Sequence, residues 1–224
     1  MKGPLFYSKI LLFGEYGIIE DSKGLSIPYN FFNGALKISE SSDEEAKKSN
    51  LILSQFSTHL KTLDIDLDLN SFDNHIKKGM YFDSSIPKGY GVGSSGALVA
   101  AVYEKYANNK ITVLENLTRE KLLLLKEIFS KMESFFHGKS SGLDPLNSYL
   151  SIPILIKSKN DINVTGIPSQ KSNGSGAVFL LDSGQTGSTA PMVNIFMEKM
   201  KKEGFRNMLN SQFIKHTNIC VDSF

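Results

Sequence analysis

The chain has no tryptophan and a single cysteine, Cys220, among 224 residues. One thiol cannot close an internal disulfide, which suits a reducing cytoplasm and excludes a cystine-stapled secreted scaffold. Charges nearly cancel, leaving +2 at neutral pH, and the basic residues gather into no cluster. A nucleic-acid binder needs a concentrated basic footprint and, commonly, aromatic stacking platforms, so that class is set aside. No apolar run approaches the roughly 20 residues that span a bilayer. Met1 to Gly14 has neither the long apolar segment nor the small-residue cleavage site of a secretory signal. The expectation is a cytoplasmic protein with neither membrane nor nucleic acid as partner. What is present is 41% hydrophobic residues in a chain long enough to bury a real core, as one large domain or one and a half.

Glycine is concentrated in one place. Ile86 to Val102 reads Ile-Pro-Lys-Gly-Tyr-Gly-Val-Gly-Ser-Ser-Gly-Ala-Leu-Val-Ala-Ala-Val, with Gly89, Gly91, Gly93 and Gly96 close together. Such glycines let the backbone turn left-handed and approach a ligand closely, while Ala97 to Val102 is apolar enough for a buried helix. A loop entering a helix presents unpaired N–H groups and the positive end of the dipole, so an anion, phosphate first, is the natural guest. Several patterns compete for the stretch. Gly91-x-Gly93-x-x-Gly96 fits the dinucleotide fingerprint, but Pro87 and Lys88 interrupt the strand that motif requires. A Walker loop needs a lysine directly before the hydroxyl residue, and Ser94 and Ser95 have none. Gly93-Ser94-Ser95-Gly96-Ala97 resembles a nucleophile elbow, with Asp144 and His216 following in hydrolase order, yet three preceding glycines would loosen a turn that has to be rigid. A ligand-free turn with helix-capping serines would not need so much backbone freedom.

The remaining pattern fits best. Pro87-x-Gly89-x-Gly91-Val92-Gly93-Ser94-Ser95-Gly96-Ala97 resembles the phosphate-binding loop of the GHMP kinases, usually P-x-G-x-G-L-G-S-S-A-A, with Val92 for Leu and Gly96 for Ala. Two further segments resemble the same family in the same order. Lys9-Ile10-Leu11-Leu12-Phe13-Gly14-Glu15-Tyr16 is similar to its amino-terminal signature, in the K-x-x-L-F-G-E-H form most like mevalonate kinases, with Tyr16 where His is usual. Glu133, His137, Gly138, Ser141, Gly142 and Asp144 match the spacing of the mevalonate kinase block E-x-x-x-H-G-x-x-S-G-x-D.

The surrounding chain reads as alternating short elements. Leu5 to Phe13 is a strand carrying Lys9, and a turn at Gly14 to Gly17 leads into extended chain at Ile18-Ile19, a hairpin. Ser39 to Asn50 is polar without period and reads as a solvated loop. Leu63 to Leu69 alternates apolar and acidic residues, predicting a half-buried strand. It is no calcium loop, because Leu69 and His75 stand where Gly and Glu are required. Met80 to Ile86 is a short strand leading to the glycine loop. Thr118 to His137 is an amphipathic helix with Leu122, Leu125, Phe129, Met132 and Phe136 in one stripe. Lys126, Ser130, Glu133 and His137 form a separate polar line, whose plain reading is a solvated face. Ile152 to Lys157 and Ala177 to Leu181 read as strands, and the polar segment 158–176 between them is the candidate domain junction. Asp182 to Thr189 resembles the D-T-G…S-T segment of the family, and Thr189 with Pro191 opens a helix that ends near Lys199 to Gly204. Nothing after Gly187 resembles the family's third glycine-rich motif, so a fragment of a longer chain is expected.

The resemblance implies an α+β fold: a GHMP kinase-like N-terminal domain (ribosomal protein S5 domain 2-like) over 1–160, then an incomplete C-terminal α/β domain of ferredoxin-like type begun over 175–224. It implies ATP-dependent phosphorylation of a small-molecule hydroxyl, with mevalonate converted to 5-phosphomevalonate foremost. Phosphomevalonate or homoserine as acceptor, or a catalytically dead nucleotide or metabolite binder, are the alternatives. The roles it implies are a phosphate cradle from Pro87, Gly89, Gly91, Gly93, Ser94, Ser95 and Gly96, and Mg²⁺ held by Ser95 and Glu133. Asp144 would accept or orient the hydroxyl proton, with Lys9 as the cation beside it. ATP and Mg²⁺ are the implied cofactors, a small hydroxyl-bearing molecule the partner, and a homodimer one form open to the chain.

Overall fold

A computed structural model describes residues 4–38, 43–112, 117–166, 180–182, 184–187 and 189–223. Its sheet is built around one long strand. Strand β1 (Phe6–Phe13) pairs antiparallel with β2 (Gly24–Ile38), which is long enough to take two more neighbours along its length. Strand β3 (Met80–Ser84) lies against residues 34–38 of β2, and β4 (Ile154–Ser158) lies against residues 24–26. A hairpin adds β5 (Asp161–Val164) outside β4, completing a five-stranded antiparallel sheet. The predicted extended chain at Ile18-Ile19 is instead a short 3₁₀ turn over Gly17–Glu20, flanked by Tyr16 and Asp21 in left-handed conformations, and the hairpin closes beyond it.

Helices α1 (Glu44–Leu60), α2 (Leu69–Lys77), α3 (Ser94–Tyr106), α4 (Arg119–His137) and α5 (Leu143–Leu150) pack with the sheet around one core that includes Phe56, Phe72, Val99, Leu125 and Phe129. Helix α3 is its centre. Ala97 to Tyr103 are buried without interruption, as expected of a helix apolar on every side. Helix α4 matches its predicted bounds, with Thr118 as N-cap accepting from the Lys121 N–H.

Two readings need correction. The stretch expected as a solvated loop is helical from Glu44, with the Asp43 carboxylate capping it by accepting from the Glu45 N–H at 3.1 Å. Its start is Glu44, Glu45, Lys47 and Lys48 around the small buried Ala46, and the large buried residues Leu53, Phe56 and Leu60 only emerge downstream, so no period shows in the polar part. Ser39 to Ser42 lie outside the described residues. The second correction concerns 63–69. Leu63, Ile65 and Leu67 do face the core while Asp64, Asp66 and Asp68 are exposed, yet only Leu67 makes a bridge, to Ala107. Two of the carboxylates find partners other than a strand: Asp66 accepts from Asn108 and Asn109 just beyond the end of α3, and Asp68 caps α2.

Three helices follow: α6 (Thr189–Met200), α7 (Glu203–Met208) and α8 (Lys215–Ser223), the last two joined by a π-helical stretch over Leu209–Ile214. Phe196, Met200 and Leu209 make a second, small apolar cluster, closed by Tyr16, Ile19, Phe205 and Ile214. Of the strand expected at 177–181, residues 177–179 lie outside the described ones, and Leu180 and Leu181 are exposed and not in a strand. In the segment expected as the domain junction, 158–164 belong to the β4–β5 hairpin and 167–176 lie outside the described residues. Among the described residues no helix is long and apolar enough to cross a membrane.

Candidate active site

The glycine loop connects β3 to α3 and ends on Gly93, the left-handed N-cap of that helix, with φ of 84°. No side chain caps α3. Its first N–H groups therefore remain directed at whatever lies over the loop, together with the positive end of the dipole. β1 holds the loop from one side: the Lys9 N–H donates to the Val92 carbonyl at 3.0 Å. The approach is so close that a Cβ on Gly93 would lie 2.9 Å from Lys9 Cγ. On the other side, a Cβ on Gly96 would lie 2.7 Å from the Asp144 carbonyl carbon and 2.8 Å from Pro145 N. The first turns of α3 and α5 thus meet backbone to backbone. Ala, usual at this position in the family the loop resembles, has no room here, which accounts for the departure at Gly96.

That contact places Asp144 over the loop, where its Oδ1 lies 2.9 Å from Lys9 Nζ. The lysine is buried, at 7% exposure, whereas the Asp144 side chain keeps 37% of its surface. The pair is a cation sunk in the protein beside a carboxylate that solutes can reach. Gly91 and Gly89 are exposed at the lip of the loop, Pro87 is half-buried at its start, and Ser94 is half-buried in the first turn of α3.

Ser95, one residue further, turns to α4. Its hydroxyl donates to Glu133 Oε1 at 3.1 Å and lies 3.1 Å from His137 Nε2. So the imidazole beside this serine is His137, not the exposed His216 that a hydrolase order would supply. Glu133 is only 3% exposed, contrary to the solvated face expected from its polar neighbours. It lies on the polar line of α4, but that line turns inward where α5 and the α3 N-terminus cover it. Ser140 donates to its other oxygen, Oε2. Burial, and secondarily the Asp144 charge, pushes the Glu133 carboxyl up to about 7, against the opposing pull of the Ser140 and Ser95 hydroxyls and of Lys9.

The donor set suits a hard cation. Ser95 Oγ and Glu133 Oε1 are adjacent oxygens, and among the described residues no group of three His, Cys, Asp or Glu side chains forms a cage. Ser95 and Glu133 would offer a Mg²⁺ ion one hydroxyl and one carboxylate oxygen, the hard ligands such an ion prefers.

Sequence reasoning had no role for Ser140 or for the His137 contact with Ser95. In the run His137-Gly138-Lys139-Ser140-Ser141 either serine could face the helix, and pattern spacing pointed to Ser141, whose hydroxyl accepts from the Leu143 N–H. Only the path of the loop selects Ser140. The 182–187 segment also reaches the glycine loop: the Gly187 N–H donates to the Gly89 carbonyl at 2.9 Å, and a Cβ on Gly89 would lie 3.1 Å from Thr186 Cβ. Ser183 and Ser188 lie outside the described residues. Tyr16 takes no part in this group; its ring packs on Phe196, with centroids 5.2 Å apart.

Residues 55–151 match the family profile described as GHMP kinases N terminal domain, a span that contains the glycine loop, Glu133 and Asp144 but not Lys9. No curated protein matches the sequence. Among solved structures, the mevalonate kinase of Methanococcus jannaschii superposes with a TM-score of 0.55 at 16% identity, covering 100% of this chain and 72% of that one. The L. major mevalonate kinase in complex with R-mevalonate gives 0.54 at 19% identity, covering 100% of this chain and 70% of that one. A further mevalonate kinase gives 0.54 at 16%, covering 98% and 71%. At such identities the likeness is one of fold. Residues 55–151, somewhat less than half of the chain, thus resemble the N-terminal domain of the GHMP kinases, and the fold is like that of the mevalonate kinases.

Proposed function

We propose that this chain is an ATP-dependent kinase for a small-molecule alcohol, with mevalonate, carried to 5-phosphomevalonate, as the first acceptor to test. The observation that carries the reading is the Lys9–Asp144 pair at 2.9 Å, set over the N-terminus of α3 beside the Ser95–Glu133 contact at 3.1 Å. The L. major relative was solved with R-mevalonate bound, which favours that acceptor.

Phosphoryl transfer asks a protein mainly to position the reactants and to stabilise charge. The free N–H groups of the glycine loop and of the first turn of α3 cradle the nucleotide's phosphates. Ser95 and Glu133 hold Mg²⁺, which when bound neutralises charge on the phosphates. Asp144, solvent-accessible on one side and paired with Lys9 on the other, orients the substrate hydroxyl and accepts its proton. The hydroxyl oxygen forms a bond to the γ-phosphorus as the bond to the β–γ bridging oxygen breaks, and ADP leaves. Lys9 offsets the negative charge that gathers on the transferring group.

Replacing Asp144 with Asn in the intact protein, and following ADP formation with mevalonate, phosphomevalonate and homoserine offered in turn, tests this. Loss of the base should lower turnover by about 10² to 10⁴ with the preferred acceptor. Turnover within a few-fold of the parent removes the role of Asp144. A parent that binds nucleotide yet releases no ADP with any of the three is a binder and not a kinase for these alcohols.

A further inference from the structure

The carboxylate read above as a cation ligand and the one read as a base stand on different helices, α4 and α5, joined by residues 138–142. A reaction between bound partners depends on the distance between those two groups, so whatever fixes the connecting loop fixes the site. Ser140 occupies the middle of it. Its hydroxyl donates to Glu133 Oε2 and accepts from the Gly142 N–H at 3.0 Å, and its carbonyl accepts from Ser130 Oγ at 2.6 Å. Gly142 is the left-handed N-cap of α5, two residues before Asp144, and as a glycine offers that helix no capping side chain of its own. Gly142 is also pressed on α4: a Cβ there would lie 2.1 Å from the Lys126 carbonyl oxygen and 2.7 Å from Ser130 N. One hydroxyl thus touches the carboxylate of α4 and the N-cap of the helix that carries Asp144.

The remaining contacts define what the hydroxyl does. Ser95 engages Oε1 of Glu133 and Ser140 engages Oε2, so the carboxylate plane of this nearly buried residue is held at both ends. Without Ser140, Oε2 loses its donor and Glu133 can rotate about its last torsion, which is broad for a glutamate. A cation ligand that rotates is a weaker ligand, because orienting the first ligands is the work of their hydrogen-bonded neighbours.

We infer that Ser140 is a positioning residue: it orients Glu133 toward the cation and ties that carboxylate to the N-terminus of α5. The inference rests on the kinase reading, and on Glu133 as the cation ligand in particular. The serine that the family pattern singles out in this loop is Ser141, so the assignment comes from the loop's path and not from the pattern.

Binding of Mn²⁺ in the presence of ADP, followed by the loss of the free-ion electron paramagnetic resonance signal, tests it on the full chain without reference to turnover. Three variants are compared with the parent, each first checked for an unchanged melting transition in metal-free buffer. S140A should weaken Mn²⁺ binding by about 10- to 100-fold, the usual cost of a lost outer-shell partner. S140T, which keeps the hydroxyl, should restore most of that affinity. S130A loosens the loop through the Ser140 carbonyl alone and should cost clearly less than S140A. A parent that binds Mn²⁺ and an S140A variant that binds it equally well overturn the role of Ser140 while leaving the kinase reading in place. Equal losses in S130A and S140A, or no recovery in S140T, also overturn it, since both outcomes describe general loosening of the loop. A parent that binds no Mn²⁺ with ADP overturns the cation site itself, and the inference with it.

Discussion

The block formed by β1 to β5 and α1 to α5 and the helices α6 to α8 are held in different ways. The first has a continuous core in which Leu53, Phe56, Phe72, Leu125 and Phe129 are fully buried. The second buries Phe196, Met200, Leu209 and Val221, and leaves Met192, Ile195, Phe213 and Ile219 exposed. Its attachment to the sheet block includes the Tyr16 ring tilted against Phe196, the Lys23 N–H donating to Asn218 Oδ1 at 2.8 Å, and the ion pair of Lys23 with Asp222 at 2.5 Å. Every proposed catalytic side chain belongs to the first block. A site that has to hold two carboxylates, a lysine and a phosphate cradle in register is built where packing is densest, because fixed neighbours keep side chains in one rotamer.

The contrast predicts unequal damage. Leu125→Ala removes a fully buried side chain from the first block and should cost about 2–5 kcal/mol of global stability, read from chemical denaturation. A loss below that of Phe196→Ala would invert the comparison. Glu133→Gln probes the electrostatic side of the same block. The folded carboxyl titrates near 7, above the ordinary value of about 4.3 expected when unfolded. Between those values the folded state holds a proton that the unfolded state has released, so the parent loses stability as pH rises from about 4.5 to about 7 and then levels off. The Gln variant has no such slope. Without divalent metal it should match the parent near pH 4 and exceed it at pH 8 by on the order of 3–4 kcal/mol. Parallel stability curves for the two proteins would show that Glu133 is not buried as described.

Smaller effects are expected in the second block. Phe196→Ala should lower global stability by only about 0.5–2 kcal/mol. It should speed amide exchange across α6 to α8 while that of α3 stays protected, since the small cluster can open on its own. Exchange that rises equally in α3 would mean the two blocks unfold as one. Lys23→Ala removes an ion pair whose members are partly open to water, 31% and 61% exposed. It should cost less than about 1 kcal/mol, and raised salt should erase most of that.

Much of the first block was legible beforehand because its signals are local. The stripe of α4, the apolar run of α3 and the strand carrying Lys9 each declare themselves within a few turns of chain. Where the reading failed, the deciding partner was distant or masked by charge. The start of α1 is Glu and Lys broken only by Ala46, and its large buried residues begin at Leu53. The alternation at 63–69 was real in burial, but alternation cannot tell whether a strand lies alongside, and here almost none does. Of the site, Lys9, Ser95, Glu133 and Asp144 could be named by resemblance, and two pairs of them are now in contact. That Tyr16 serves packing against Phe196, and that Ser140 rather than Ser141 holds Glu133, could not be named.

By itself the order of residues determined where the backbone must turn left-handed, where a helix has to start and which faces are apolar, since those depend on steric limits and neighbours a few positions away. Only the tertiary structure decided that Glu133 is dry, that Asp144 meets Lys9, and that Gly96 has no space for a methyl group. Desolvation and close approach arise from segments far apart in the chain, and a charge acquires its strength, or an atom its lack of room, from what those segments bring beside it.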